Sequence, residues 1–243
     1  MANDDSPERA RSAARPAREP LSRDHIIDAA IASVDERGLP ALTMRSLGQR
    51  LGVEAMSLYR YVNGREDLLE GMVGRLVQEL RVDPRGDEHF PTDGWQAYLQ
   101  SLAVGARRLA HAHPSLFPLI ATRHPSAPWL RPPLRSLEVV EDFLVALISR
   151  GLSDESAVAA YRAFSSFLLG HLLLEVATLG ASTAPVEETL DEGDAEVPDN
   201  DLPLSDFPQT QRLQPMLEAD HADAEFELAL EHLLDRLDAL VSQ

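Results

Sequence analysis

Residues 42–62 read LTMRSLGQRLGVEAMSLYRYV, and this stretch decides the architecture. Thr43 is a helix N-cap, with a hydroxyl placed to accept a backbone N–H that the first helical turn leaves unpaired. Leu47 and Leu51 follow four residues apart, on one helical face. Gly52 then supplies the positive φ that a tight reversal requires. Val53 and Leu58 form the apolar side of a second short helix, so Ala55, Met56, Ser57, Tyr59, Arg60 and Tyr61 form its outward side. Gly48 stands where two steeply crossing helices admit only a small residue. Two short helices about a glycine turn spell a helix-turn-helix, whose second helix enters the major groove of DNA.

Working outward, a first helix is expected from Ser22, as N-cap, to near Arg37, with Gly38 as its stop. Ile26, Ile27, Ala30, Ile31 and Val34 make its buried stripe. After the helix-turn-helix, Asn63-Gly64 signals a turn. A fourth helix then runs from Arg65 to Leu80, with Glu66 and Asp67 in its first turn, where acids suit the helix dipole. Residues 81–94 are rich in turn formers and close a DNA-binding unit of residues 21–80. Residues 1–20 mix Pro, Ala, Ser and charge without apolar periodicity, which predicts a disordered arm. It is either a plain solvated tail or a mobile source of phosphate contacts through Arg9, Arg11, Arg15 and Arg18.

The remainder, residues 92–243, also reads as helices. Trp95, Tyr98, Leu99, Leu102, Ala106 and Leu109 form one stripe, ended near His113-Pro114, where His111 and His113 suit the negative end of the dipole. A short proline-bounded element covers 115–123. A helix follows from about Pro132 to Arg150, and Ser153 caps a long one to about Leu179. Residues 180–206 carry nine acids, no base and three prolines, and are read as an acidic loop. The last helix, about 221–241, repeats Phe226, Leu230, Leu233, Leu237 and Leu240. No β pattern and no repeat appears, so the predicted fold is all-α.

Charge is distributed unevenly. The chain of 243 residues has net charge −18, which argues against a protein coated in nucleic acid. Yet residues 1–65 hold ten arginines against nine acids, and residues 66–243 hold twelve against thirty-one. Within 43–65, Arg45, Arg50, Arg60 and Arg65 face only Glu54. A small basic footprint on an acidic molecule is the pattern of a binder with one docking face. Cysteine is absent, which excludes disulfides and thiolate metal sites and suits a cytoplasmic location. Neither a membrane span nor a secretory signal is readable.

The block Leu21–Leu80, through the tract LTMRSLGQRLGVEAMSLYRYVNGREDLL and the amphipathic helix ending at Gly38, resembles the DNA-binding domain of the tetracycline-repressor (TetR) family. The C-terminal part resembles that family's regulatory domain more loosely, through Thr122-Arg123 after a short helix, the FLLG tract Phe167–Gly170 followed by Glu175, a polar loop and a final amphipathic helix. The resemblance implies a homodimeric repressor, released from a palindromic operator by a small-molecule inducer and controlling an exporter or a metabolic gene. Helices 154–179 and 221–241 would form the dimer's four-helix bundle; periodicity alone says only that their stripes are buried.

The resemblance also assigns roles. Arg45 matches a position that reaches the major groove; it and Arg60 contact either guanine edges or phosphates. Ala55 and Met56 are placed to touch thymine methyls, and Ser57 and Tyr61 to bond bases or phosphates. Tyr59 either bonds a phosphate or packs on the neighbouring helix. Arg65 is expected to clamp a phosphate together with helix N-terminal amides. Candidate ligand-pocket residues are Trp95, Phe117, Arg123, Phe167 and His171, each of which has an ordinary core role as its alternative. The family's metal–drug site uses a histidine three residues before the Thr-Arg pair, where this chain has Leu119. Leucine ligates no metal, so the expected inducer is apolar and metal-free, and no metal or cofactor is assigned. The competing reading, an all-helical ligand-binding or enzyme protein with a vestigial DNA-binding head, finds no catalytic motif in its favour.

Overall fold

Ser22 accepts a hydrogen bond from the backbone N–H of His25 at 3.1 Å and starts α1 (Arg23–Arg37), which ends at Gly38 with φ 77°. Thr43 and Ser46 cap α2 (Met44–Leu51) reciprocally: each side-chain oxygen accepts the other's backbone N–H, both at 3.0 Å. Such a box satisfies two donors that the helix would otherwise leave unpaired. Gly52 adopts φ 67° and ψ 35° and reverses the chain. The regular part of α3 is only Ala55–Leu58. The chain continues in turns, with the N–H groups of Tyr61 and Val62 donating to Leu58 O at 2.9 and 3.1 Å. The outward helix therefore keeps its helical path to Tyr61 in a looser form than its sequence pattern suggests.

α4 (Arg65–Leu80) starts where Asp67 reaches back and accepts the Asn63 N–H at 2.7 Å. The structure, a computed structural model, describes residues 20–80, 94–122, 127–181 and 204–241. The expected basic arm, the turn segment 81–93, Arg123 and most of the acidic loop lie outside the described residues. Beyond α4 come α5 (Gly94–Ala112), α6 (Phe117–Ile120), α7 (Leu137–Ile148), α8 (Asp154–Thr178), α9 (Pro208–Leu217) and α10 (Ala222–Val241). No strand occurs among the described residues, and the fold is all-α.

Two stretches differ from the sequence reading. The helix expected from Pro132 begins at Leu137, because Ser136 caps it by accepting the Val139 N–H. Prolines 132 and 133 lack the N–H groups a helix interior needs, and the Arg131–Pro132 bond is cis. In addition, α9 occupies a stretch to which the pattern assigned no element. Its residues Met216 and Leu217 are exposed, so it buries no apolar stripe against the rest of the chain.

The buried side chains form one continuous core. Leu47 and Leu58 are fully enclosed where α2 and α3 meet, each contributing roughly 1.5–3 kcal/mol by leaving water. Leu51 and Val53, assigned to the core by pattern, sit half-buried at the turn. α4 packs on α1 on one side and on α5 on the other, which makes it the link between the first four helices and the rest. α8 packs on α5, α7 and α10. It is long and apolar enough to cross a membrane by length and composition, yet this helix carries Arg162 and Glu175 and buries one face in the bundle. Its other face, with Val158 and Leu174, is exposed.

Candidate DNA-reading surface and ligand cavity

The reading surface is built from the turn outward. A Cβ at Gly48 would stand 2.9 Å from Val53 O and 3.2 Å from Ala55 N, closer than real contacts allow. Glycine here lets α3 lie directly on α2. Leu58 and Val62 point inward and are buried, so the residues between and before them face out: Met56 is 75% exposed, Tyr59 47% and Tyr61 38%. Arg45, Arg60 and Arg65 are exposed as well, with Ala55 and Ser57 half-buried between them. Large apolar and aromatic side chains left in water beside cations form a surface that gains from contact with a partner.

The structure separates the arginines of this region into two groups. Arg50, counted by sequence with the basic footprint, donates two hydrogen bonds of 2.6 Å to the Glu36 carboxylate. That pair holds Glu36 below the usual carboxylate range. Arg23 pairs with Asp67 at 2.5 Å and Arg75 with Asp28 at 3.0 Å, tying α1 to α4. The Asn63 N–H, and then Arg23, keep the Asp67 carboxyl below its ordinary value against the opposing effect of burial. Arg45, Arg60 and Arg65 make no ion pair among the described residues. They retain their charge for an outside anion, and sequence alone did not tell them from Arg50.

The second half of the molecule holds a small, partly open cavity of about 50 Å³. Its walls are Val77 and Leu80 of α4, Leu102 and Ala106 of α5, Phe117 and Ile120 of α6, Leu134, Ser136, Val139 and Phe143 around α7, and Tyr161, Phe164, Ser165, Leu168 and Leu169 of α8. No charged group lines it among the described residues. Phe143 stands at the centre of an aromatic cluster, with its ring 6.3 Å from Tyr98, 5.6 Å from Tyr161 and 5.7 Å from Phe164. Burial pushes the Tyr161 phenol up to about 12, so it remains neutral and donates to Pro132 O at 3.1 Å.

Of the residues singled out for a pocket, Phe117 lines this cavity. Phe167 and His171 lie together elsewhere, their rings 5.7 Å apart, with His171 5.3 Å from Phe226 of α10. Trp95 is buried on α5 and lines neither site. Leu119, at the position of the expected metal-binding histidine, is buried and apolar, and no group of metal-ligating side chains occurs among the described residues. Pattern reading missed Phe143, Tyr161 and Phe164. Their only signal was helical spacing, which every core residue shares.

A larger cleft of about 1210 Å³ opens to solvent between α5 and α10. Its walls carry Asp223, Glu227, Glu231, Asp235 and Asp238 against Arg107, Arg108 and His111. Arg107 is already engaged, with Glu175 at 2.5 Å and Asp223 at 2.7 Å. Burial pushes the Glu175 carboxyl up, but hydrogen bonds from Arg107 and His111 outweigh it and leave the group lowered. These charges brace α5, α8 and α10 against one another, and the small apolar cavity is the better match to an apolar ligand.

Comparison with known proteins agrees with this arrangement. Residues 26–72 match the family described as bacterial regulatory proteins, tetR family, and residues 89–241 match the tetracyclin repressor-like C-terminal domain. The chain is 34% identical over 161 residues to the HTH-type transcriptional repressor DrrR1 of Streptomyces coeruleorubidus, covering 64% of this chain and 55% of that protein. It is 31% identical over 160 residues to the tetracycline repressor protein class E of Escherichia coli, covering 65% and 70% respectively. Streptomyces coelicolor ActR in complex with actinorhodin superposes with a TM-score of 0.64 at 28% identity, over 93% of this chain and 100% of that one. With a glycine-turned reading head and an all-helical body matched along most of its length, this chain belongs to the TetR family of transcriptional regulators.

Proposed function

We propose that this chain is a homodimeric repressor that binds a palindromic operator and leaves it when an uncharged, largely apolar molecule enters the cavity. The observation that carries this reading is α4. Its first residue, Arg65, stands free at the reading surface, while Val77 and Leu80 near its far end form part of the cavity wall. Sixteen helical residues span ~24 Å, so one rigid element reaches both sites. A cavity of about 50 Å³ holds little more than a water, whereas drug-sized ligands need roughly 300 Å³ or more. Binding therefore requires the walls to move, and α4 is one of them. An inducer shifts the balance only through its preference for the moved state.

Pairing of subunits is supported by the outer face of α8. Val158 and Leu174 are exposed there, with Arg162, Ser166 and Gly170 between them, and Leu228 is exposed on α10. Small residues between apolar ones let a second pair of helices approach closely. At the DNA, Arg45 and Arg60 read base edges, Ala55, Met56, Ser57, Tyr59 and Tyr61 fill the groove contacts, and Arg65 holds a phosphate. The inducer is largely apolar, like the walls that would receive it, binds without metal, and relieves repression of an exporter or a metabolic gene in the cytoplasm.

In vitro selection from a random duplex pool tests this, followed by sedimentation of the complex. The expected result is a two-fold symmetric site with half-sites about one helical turn or a multiple of it apart, bound by two copies. Leu174→Glu should yield a monomer that has lost this preference. A wild-type monomer that enriches no sequence would overturn the reading.

A further inference from the structure

The short helix α6 carries Phe117 and Ile120 of the cavity wall, and its two ends are held by residues that also reach the DNA-binding head. At its start, the N–H groups of Leu116 and Phe117 donate to His113 O at 3.0 and 2.9 Å. The His113 ring lies 2.8 Å from the Asp35 carboxylate of α1. At its end, the Arg135 N–H donates to Ile120 O at 3.0 Å. The Arg135 guanidinium bonds to Glu66 in the first turn of α4 and to Thr122 Oγ1 at 3.2 Å.

Resting on the repressor reading above, we propose that Arg135 is a positioning residue for DNA binding. Through Glu66 it sets the angle of the α4 N-terminus, and with it Arg65, relative to the body. His113 and Asp35 brace the head at a second point.

Burial decides which partner matters. The Arg135 side chain is 7% exposed, and its Nε–H has no acceptor among the described residues. Among the described residues one carboxylate, Glu66, balances its charge, and the alternative is an uncompensated buried cation, which is costly. Glu66 is 62% exposed and has no need of burial, so of the two partners Arg135 is the one that depends on the pair, and the pair ties the first turn of α4 to the segment before α7. Leu134 and Ser136, on either side of Arg135, both line the cavity. A molecule that spreads these walls displaces the backbone that carries the guanidinium. The pull arrives beside Arg65, which explains how an uncharged ligand could act on a phosphate contact.

The test is a double-mutant cycle in the full chain on the selected duplex, with a random duplex of equal length as reference, read by fluorescence anisotropy. Simple electrostatics predicts that Glu66→Gln tightens DNA binding, because an acid beside Arg65 repels phosphate. Positioning predicts the opposite: Glu66→Gln and Arg135→Met each weaken the selected and the random duplex alike, by about tenfold, equivalent to ~1.4 kcal/mol, because the contact they misplace is to a phosphate. The double variant should then be no weaker than the weaker single. Glu66→Gln leaves the guanidinium a neutral acceptor, so that variant keeps the fold even where Arg135→Met does not, and Arg135→Lys, which keeps the charge, should recover part of the affinity. Tighter or unchanged binding by Glu66→Gln overturns the proposal while leaving the repressor reading intact. A wild-type chain that selects no duplex overturns both.

Discussion

The residues of the reading surface all come from one stretch, 45–65, whereas the cavity's walls come from five helices spread over residues 77–169. The first site is local: a capped helix, a glycine turn and a second short helix fix which side chains face out, whatever the rest of the chain does. The second exists only after long-range packing has brought α4 to α8 together. The two halves also differ in what they leave unpaired. On the reading surface Arg45, Arg60 and Arg65 have no carboxylate partner among the described residues, whereas the body holds a small apolar cavity and leaves apolar side chains exposed on α8. A protein that reads charge at one end and apolar shape at the other needs a rigid part in common, and α4 is that part.

If the difference is real, changes in the body should alter stability and ligand response while leaving base preference alone. The largest expected effect is Phe164→Ala. Phe164 is 1% exposed, and its truncation enlarges the cavity at a cost of about 3–5 kcal/mol. Chemical denaturation measures this, and the preferred duplex of the folded variant should be the wild-type one; a changed sequence preference would break the separation of roles. Next come the head arginines. Arg45→Ala and Arg60→Ala should each reduce discrimination against mismatched sites by about 1–3 kcal/mol. Arg65→Ala should weaken all duplexes alike and flatten the salt dependence of log K by about 0.9. Uniform loss in all three variants would reassign Arg45 and Arg60 to phosphates.

Smaller effects sharpen the local side of the comparison. Thr43→Ala removes half of the capping box and should cost about 1 kcal/mol of stability, read as a lower melting temperature. The smallest is a pH effect at Asp67. Its carboxyl is lowered in the folded state, so its stabilisation is present above the unfolded carboxylate pKa and is lost as pH falls through the folded one. The stability difference between wild type and Asp67→Asn should therefore shrink as pH drops below about 4. A difference that persists unchanged into acid would show that the cap is not ionic.

Legibility followed the same division. Thr43, Gly48 and Gly52 could be assigned from spacing because each acts on backbone within a few residues of itself. Arg50 could not be separated from Arg45, since its partner Glu36 lies on another helix. Phe117 was accessible as a candidate because prolines and a neighbouring Thr-Arg pair mark its segment. Phe143 and Phe164 carried no mark, because an apolar residue at helical spacing looks the same whether it faces a cavity or a filled core. The start of α7 was misplaced for a different reason: apolar periodicity extends through Leu134, while the prolines before it fix a non-helical backbone.

From sequence alone came the all-α fold, the helix-turn-helix and its outward face, the acidic body and the family. These rest on periodicity, caps and turn glycines, which are properties of neighbouring residues. Tertiary structure alone decided which arginines are free, where the cavity lies and how Arg135 meets Glu66. Each of those depends on the distance between groups on different helices, and only the packing of those helices sets that distance.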